Sequence, residues 1–169
     1  MERASQTSEM IDSLSQFFRH ALIMDDDFTT VGNEIEHLRY YIILKRQGKT
    51  SFDFELDYEE ETLGCRVVKL VLQPLVENAL LHGIDIKRQT GKIWISGNVS
   101  EGKLILIVKD NGRGMTKEQI RDLFNSHAKK TNGLSAVGIP NVKERLELYY
   151  GTQGGMEYVS SGNGTEVTV

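Results

Sequence analysis

The sequence predicts an α+β fold, a two-layer sandwich of a mixed sheet with helices on one face. Three observations predict it. Phe52, Phe54 and Leu56 alternate with Asp53, Glu55 and Asp57, the period of two that marks a half-buried strand. The runs 92–99 and 103–110 read as two more strands, joined by a short turn at Glu101-Gly102. Elsewhere apolar residues recur every three or four positions, the spacing of helices that bury one stripe.

Residues 1–6 are polar and expected to fray. From about 7 to 24, Met10, Ile11, Leu14, Phe17, Phe18 and Ala21 make one apolar stripe on a helix, and Asp25-Asp26-Asp27 reads as a connector. A second helix is expected over 32–47, carrying Ile35, Leu38 and Ile42. Glu34 and Glu36 near its start and Lys45 and Arg46 near its end suit the helix dipole, and Gly48 stops it. Two such helices cannot form a core alone, so the stripe must pack on the following unit or on another chain. The domain division is therefore 1–48 for the helical segment and 49–169 for the sheet-bearing unit.

After the first strand comes LVLQPLVENALLHG, residues 70–83, an apolar helix that sets Gln73, Glu77, Asn78 and His82 among its leucines and valines. Asn78 and His82 are four apart and share a face, with Glu77 adjoining, so this helix reads as one wall of a site. Gly83 is positioned to cap it in a left-handed conformation. A polar, glycine-bearing region, 111–137, holds one short helix near 117–124. Pro140 opens the next helix and Gly151 follows it; strands near 156–160 and 166–169 close the chain.

Composition excludes several classes. At 169 residues and a net charge of −4, the chain lacks the basic excess of a general nucleic-acid binder. The single cysteine, Cys65, allows no intrachain disulfide and fits a reducing, cytoplasmic setting. It reads as a small packed residue rather than a nucleophile. No apolar run approaches the roughly 20 residues that span a bilayer, so no membrane contact is expected of these residues.

Three glycine-marked turns stand out. DNGRGM, 110–115, follows an apolar strand, where Gly112 and Gly114 permit positive φ and Asp110 offers an acceptor; a tight turn with a capping aspartate is the plain alternative. SAVGIPNVKERL, 135–146, leads through Gly138 and Pro140 into a helix whose free N–H groups favour an anion, with Asn141, Lys143 and Arg145 as nearby donors. An ordinary helix start explains it too. SGNGTEV, 161–167, is explained as well by a hairpin as by a ligand contact.

Taken in order, E-N-A-x-x-H-G, D-N-G-x-G-M, G-x-x-N-V-x-x-R-L and G-x-G-T resemble the ATP-binding (GHKL-type) domain shared by sensor histidine kinases, a class of chaperones and type II topoisomerases. LQPLVENALLHG with NVKERL most resembles the sensor histidine kinases of the LytS/YesM-like group. There, SLSQFFRHAL-like and EIEHLRYYIILKRQ-like helices also precede the domain. The likeness covers nearly the whole chain.

The resemblance implies ATP and Mg²⁺ as ligands. Asn78 matches the asparagine that holds Mg²⁺ against the phosphates, a hard cation suited by an amide oxygen. Glu77 matches the acid that activates the acceptor imidazole or orders a metal-bound water. His82 matches a position near the phosphates. Asp110 matches the carboxylate that accepts the adenine amino proton; Gly112 and Gly114 match the glycines under adenine and at the lid hinge; Thr165 matches a residue bonding the base through water. Residues 111–137 would form the lid, with Phe124 as its aromatic or as a packed core residue. Lys129 and Lys130 match lid lysines that neutralise phosphate. Gly138 and Asn141 would meet the phosphates.

The chain also departs from the pattern. Ala136 stands where a second glycine is usual, and Pro140 stands in place of leucine. The N-P-H-F stretch that carries the phosphorylated histidine is missing; His20 is on a helix but falls where the relatives carry a residue after the acceptor helix, and His37 and His127 have no supporting context. The expectation is therefore a second hairpin helix, a linking helix and a complete ATP-binding domain that binds ATP without phosphorylating itself. The implied parent is a homodimeric protein histidine kinase, anchored in the bacterial inner membrane and relaying phosphate to a response-regulator aspartate. A rival from another class is a non-catalytic nucleotide-binding or dimerisation module on the same fold.

Overall fold

The computed structural model describes residues 11–12, 14–19, 26–46, 52–84, 91–125 and 138–169. Its frame is a five-stranded mixed sheet built from β2 (Phe52–Tyr58), β4 (Gly91–Ser100), β5 (Lys103–Asp110), β6 (Glu157–Ser161) and β7 (Gly164–Thr168). The strand order is β2-β4-β5-β7-β6, with β2 parallel to β4 and every other pair antiparallel. On β4, Gly91, Ile93, Ile95 and Gly97 are buried while their neighbours face outward, so the alternation read from the sequence becomes one covered face. Gly91 begins that strand because a Cβ there would sit 2.1 Å from Ile84 Cγ2.

Helices cover that face. They are α1 (Val31–Arg46), α2 (Leu72–Asn78), α3 (Lys117–Asn125) and α4 (Gly138–Tyr150). Leu38 of α1, Leu75 and Val76 of α2, Ile139 and Leu146 of α4 and Ile93 of the sheet join one hydrophobic cluster. Of the two partners expected for the N-terminal stripe, α1 thus meets the following sheet-and-helix unit. Residues 11 to 19 differ: Phe17 is partly buried, while Ile11, Leu14 and Phe18 are 62%, 42% and 51% exposed.

Three features were not expected. A second, two-stranded sheet pairs β1 (Phe28–Thr30) antiparallel with β3 (Arg66–Val68), and a 3-10 turn, Glu60–Gly64, precedes β3. Lys69 N–H bonds to the Asp27 carbonyl at 2.9 Å beside this ribbon. The helix at 70–83 starts at Leu72 and ends in a π turn, Ala79–Gly83. Gly83 is the last residue of that turn rather than a left-handed cap beyond it. The Ile84 N–H reaches back to the Ala79 carbonyl at 2.9 Å and the chain leaves extended. Helix α4 begins at Gly138, two residues ahead of Pro140. In a first turn, a missing N–H breaks no intrahelical bond.

Among the described residues, no helix is long and apolar enough to cross a membrane.

Candidate functional site

The ends of β5 and β7 converge on Asp110. The register Lys109↔Glu166 brings Asp110 beside Thr165, whose backbone N–H donates to the Asp110 carboxylate. Gly112 N–H donates to Asp110 Oδ1 at 2.8 Å, closing the turn after the strand. Asp110 and Thr165 are each 4% exposed. Burial pushes the Asp110 carboxyl above the ordinary carboxylate range, and the N–H groups of Gly112 and Thr165 pull it partly back.

Both the turn and the hairpin are built on close backbone approach. Gly114 has φ +67, and a Cβ on it would lie 1.6 Å from the Ser161 carbonyl oxygen. Gly164 has φ +129, and its Cβ would lie 1.9 Å from the Asp110 carbonyl oxygen. Between them sits Ser160, whose Oγ accepts the Met115 N–H at 2.7 Å and lies 2.8 Å from Thr165 Oγ1 and 3.2 Å from the Gly164 oxygen. One hydroxyl can donate once and accept twice, so all three contacts are satisfied when Thr165 donates to Ser160 and Ser160 to Gly164.

A second wall comes from α2, whose π turn lies against β5 and β7. Asn78 is 8% exposed; Glu77 is half-buried and accepts the Gln73 side-chain N–H at 2.8 Å. The start of α2 is held by Glu34 of α1, whose carboxylate accepts the N–H groups of Leu70, Val71 and Leu72 at 2.7, 2.9 and 3.1 Å. These are donors that a helix start leaves without partners. Leu70 itself is left-handed, at φ +57, a conformation that costs an L-residue about 1–2 kcal/mol.

The start of α4 supplies the third wall. Gly138 approaches so near that a Cβ would stand 3.2 Å from Pro74 Cβ, one turn ahead of Asn78 on α2; Asn141 is exposed. Two side chains read with it as anion donors are engaged elsewhere. Arg145 Nη1 donates to the Lys69 carbonyl at 2.6 Å, tying α4 to the β3–α2 turn. Lys143 lies 4.9 Å from the Phe124 ring, which packs edge-on against Tyr158 at 5.3 Å.

The structure therefore brings together Asp110, Gly112, Gly114 and Thr165, and sets Glu77 and Asn78 on the neighbouring helix. Lys129, Lys130, His127, His20 and Ala136 lie outside the described residues, as does the side chain of His82. Sequence reasoning missed Ser160, although a serine ahead of a G-x-G-T hairpin is a visible signal, and met Gly164 only as part of that hairpin motif. It also missed Tyr41 and His37, which share the buried face of Leu38 at helical spacing. No group of acidic, histidine or cysteine side chains among the described residues forms a metal cluster.

The family model for histidine kinase-, DNA gyrase B- and HSP90-like ATPases matches residues 66–169, the stretch that contains all three walls. The chain belongs to this ATPase family. A histidine kinase model matches residues 1–49 ahead of it. Sensor histidine kinase YesM of Bacillus subtilis is 28% identical over 166 residues, covering 97% of this chain and 27% of its own length. Sensor histidine kinase BtsS of Escherichia coli is 32% identical over 159 residues, covering 86% of this chain and 28% of its own. The chain thus spans about a quarter of the length of these curated relatives. In fold, the nucleotide-free catalytic domain of histidine kinase ThkA superposes with a TM-score of 0.64 at 23% identity, covering 85% of this chain and 95% of that one. The chain is a histidine-kinase-type ATPase domain homologous to those of sensor histidine kinases, and membership of the family implies ATP binding.

Proposed function

We propose that this chain is the part of a two-component sensor kinase that binds Mg·ATP and delivers its γ-phosphoryl group to a histidine. The observation that carries the reading is the buried Asp110 carboxylate, held by Gly112 and Thr165 where β5 ends and β7 begins. Its remaining lone pairs suit an adenine amino group, and one hydrogen bond to a charged acceptor is worth about 1.5–3 kcal/mol. Thr165 supports the base, and Gly112 and Gly114 shape the turn beneath it. Gly138 and Asn141 meet the phosphates at the α4 start, with Lys129 and Lys130 as further donors and His82 near them.

Mg²⁺ fits the donor set. It keeps several waters and takes most other ligands from phosphates, so one amide oxygen, that of Asn78, is enough protein contact and no carboxylate cluster is needed. When bound, the ion neutralises phosphate charge. Glu77 acts as general base, taking the proton from the incoming imidazole. As that nitrogen bonds to phosphorus the P–O bond breaks and ADP leaves, a reaction that depends chiefly on positioning and charge.

The division into a helical segment, 1–48, and an ATP-binding unit, 49–169, is supported by the separate family matches. The exposed Ile11, Leu14 and Phe18 support pairing of two copies in a homodimeric parent. The response regulator as next acceptor and a membrane-anchored parent with this part in the cytoplasm follow from the likeness to sensor kinases. Lacking the N-P-H-F stretch, this chain does not phosphorylate itself.

Labelled ATP, Mg²⁺ and a separate helix carrying an N-P-H-F histidine test the reading. Label should reach the helix and not the chain, and Asn78→Ala should abolish it. Transfer that survives Asn78→Ala would contradict the assignment.

A further inference from the structure

Helices α1 and α2 lie side by side with a constant sequence offset of 36. Glu34 bonds the Leu70 N–H and His37 Nε2 lies 2.6 Å from Gln73 Oε1, each pair 36 residues apart. Tyr41 and Glu77 repeat that offset, and burial together with the facing Glu77 carboxylate pushes the Tyr41 hydroxyl up. The helices therefore run parallel in one register, with successive rungs three and four residues, about 4.5 and 6 Å, apart.

The hydrogens on these rungs can be assigned. An ionised Glu77 only accepts, so the Gln73 amide must turn its NH₂ toward it, at 2.8 Å. The amide oxygen then faces His37, whose Nε2 must carry a proton to donate. His37 and Tyr41 are 3% and 7% exposed. Phe17 stacks on the His37 ring at 4.6 Å and 20°, and lies 6.2 Å from Tyr41. A path of contacts thus runs from the N-terminal segment through the Phe17–His37 ring stack and the polar links of Gln73 to Glu77, and Tyr41 faces Glu77 from the same helix.

We propose that Tyr41, donating its hydroxyl, and Gln73 are positioning residues that fix the Glu77 carboxylate, so that the register of α1 against α2 sets whether the catalytic base is aimed for transfer. This rests on the reading of Glu77 as the base. Two donors on one carboxylate define its plane, whereas one leaves it free to turn. A slide of α1 by one residue, about 1.5 Å, lengthens both rungs together. Neither side chain is among those read as meeting adenine, phosphate or Mg²⁺, so the arrangement acts on chemistry and leaves nucleotide affinity alone.

The test is transfer to the separate acceptor helix under saturating Mg·ATP, with nucleotide affinity measured by calorimetry on the same samples. Tyr41→Phe keeps the buried ring and Gln73→Met keeps the volume. Each should lower the transfer rate about tenfold while the ATP Kd stays within twofold, the signature of an interaction realised only during reaction. His37→Phe, which preserves the stack on Phe17, should do the same through Gln73. Unchanged ATP affinity also shows that each variant is folded. If Glu77→Gln abolishes transfer while Tyr41→Phe and Gln73→Met leave it intact, the positioning role is wrong and the reading of Glu77 stands. If Glu77→Gln itself leaves transfer intact, the reading beneath it falls.

Discussion

Ser160 Oγ accepts the backbone N–H of Met115 at 2.7 Å, fastening the turn after β5 to the β6–β7 hairpin. The same hydroxyl engages Thr165 and Gly164, so the turn after β5 and both strands of the hairpin meet on one atom. Ser160→Ala removes these contacts without adding bulk. It should cost about 1–2 kcal/mol, and the Met115 amide should exchange with solvent about tenfold faster, since 1.4 kcal/mol is a factor of ten. An unchanged Met115 exchange rate would show that this bond does not hold the turn.

The glycines of this wall should divide sharply from glycines elsewhere. Gly114→Ala and Gly164→Ala each force a Cβ into backbone at less than 2 Å, with positive φ in addition. Each should lose upward of about 3 kcal/mol of stability, because neither backbone can withdraw without opening the site. Gly155→Ala meets nothing within 4 Å and should stay within about 0.5 kcal/mol of the parent. Urea unfolding of the three variants checks the contrast.

Glu34 gives a pH-dependent prediction. Burial raises its carboxyl above the usual 4.5, outweighing the three N–H groups of Leu70, Val71 and Leu72 and the nearby His37. The folded chain thus holds a proton that the unfolded chain has already released. The resulting stability is fully present below pH 4.5 and is lost as pH rises through the elevated folded value. Glu34→Gln should remove that slope, so the difference in unfolding free energy between parent and variant should shrink as pH rises from 4.5. At neutral pH the amide should still be the less stable by about 1–3 kcal/mol, because it cannot accept from all three donors. Parallel pH profiles for parent and variant would contradict this account.

How far the sequence could be read depended on whether a feature was periodic. The strand at Phe52 and the helix carrying Ile35, Leu38 and Ile42 announced themselves through alternation and helical spacing. Asp110, Gly112, Gly114 and Thr165 were legible because the motif keeps them in order, and the strand register places Asp110 beside Thr165. Phe28–Thr30 and Arg66–Val68 are too short to show a period, and their pairing depends on residues 36 to 40 apart meeting in space. Glu34 read as a helix-dipole charge for its own helix, whereas its carboxylate caps the next one. No local rule marks Tyr41 as the partner of Glu77, because that contact exists only once the two helices lie in register.

Calorimetric titration is the sharpest test of Mg·ATP binding by this chain and of Asp110 as the reader of adenine. Mg²⁺-dependent ATP binding should exceed GTP binding, and Asp110→Asn should weaken ATP about ten- to a hundredfold while narrowing the preference. No measurable ATP binding by the parent chain, or an Asp110→Asn variant that keeps the adenine preference intact, would contradict this reading.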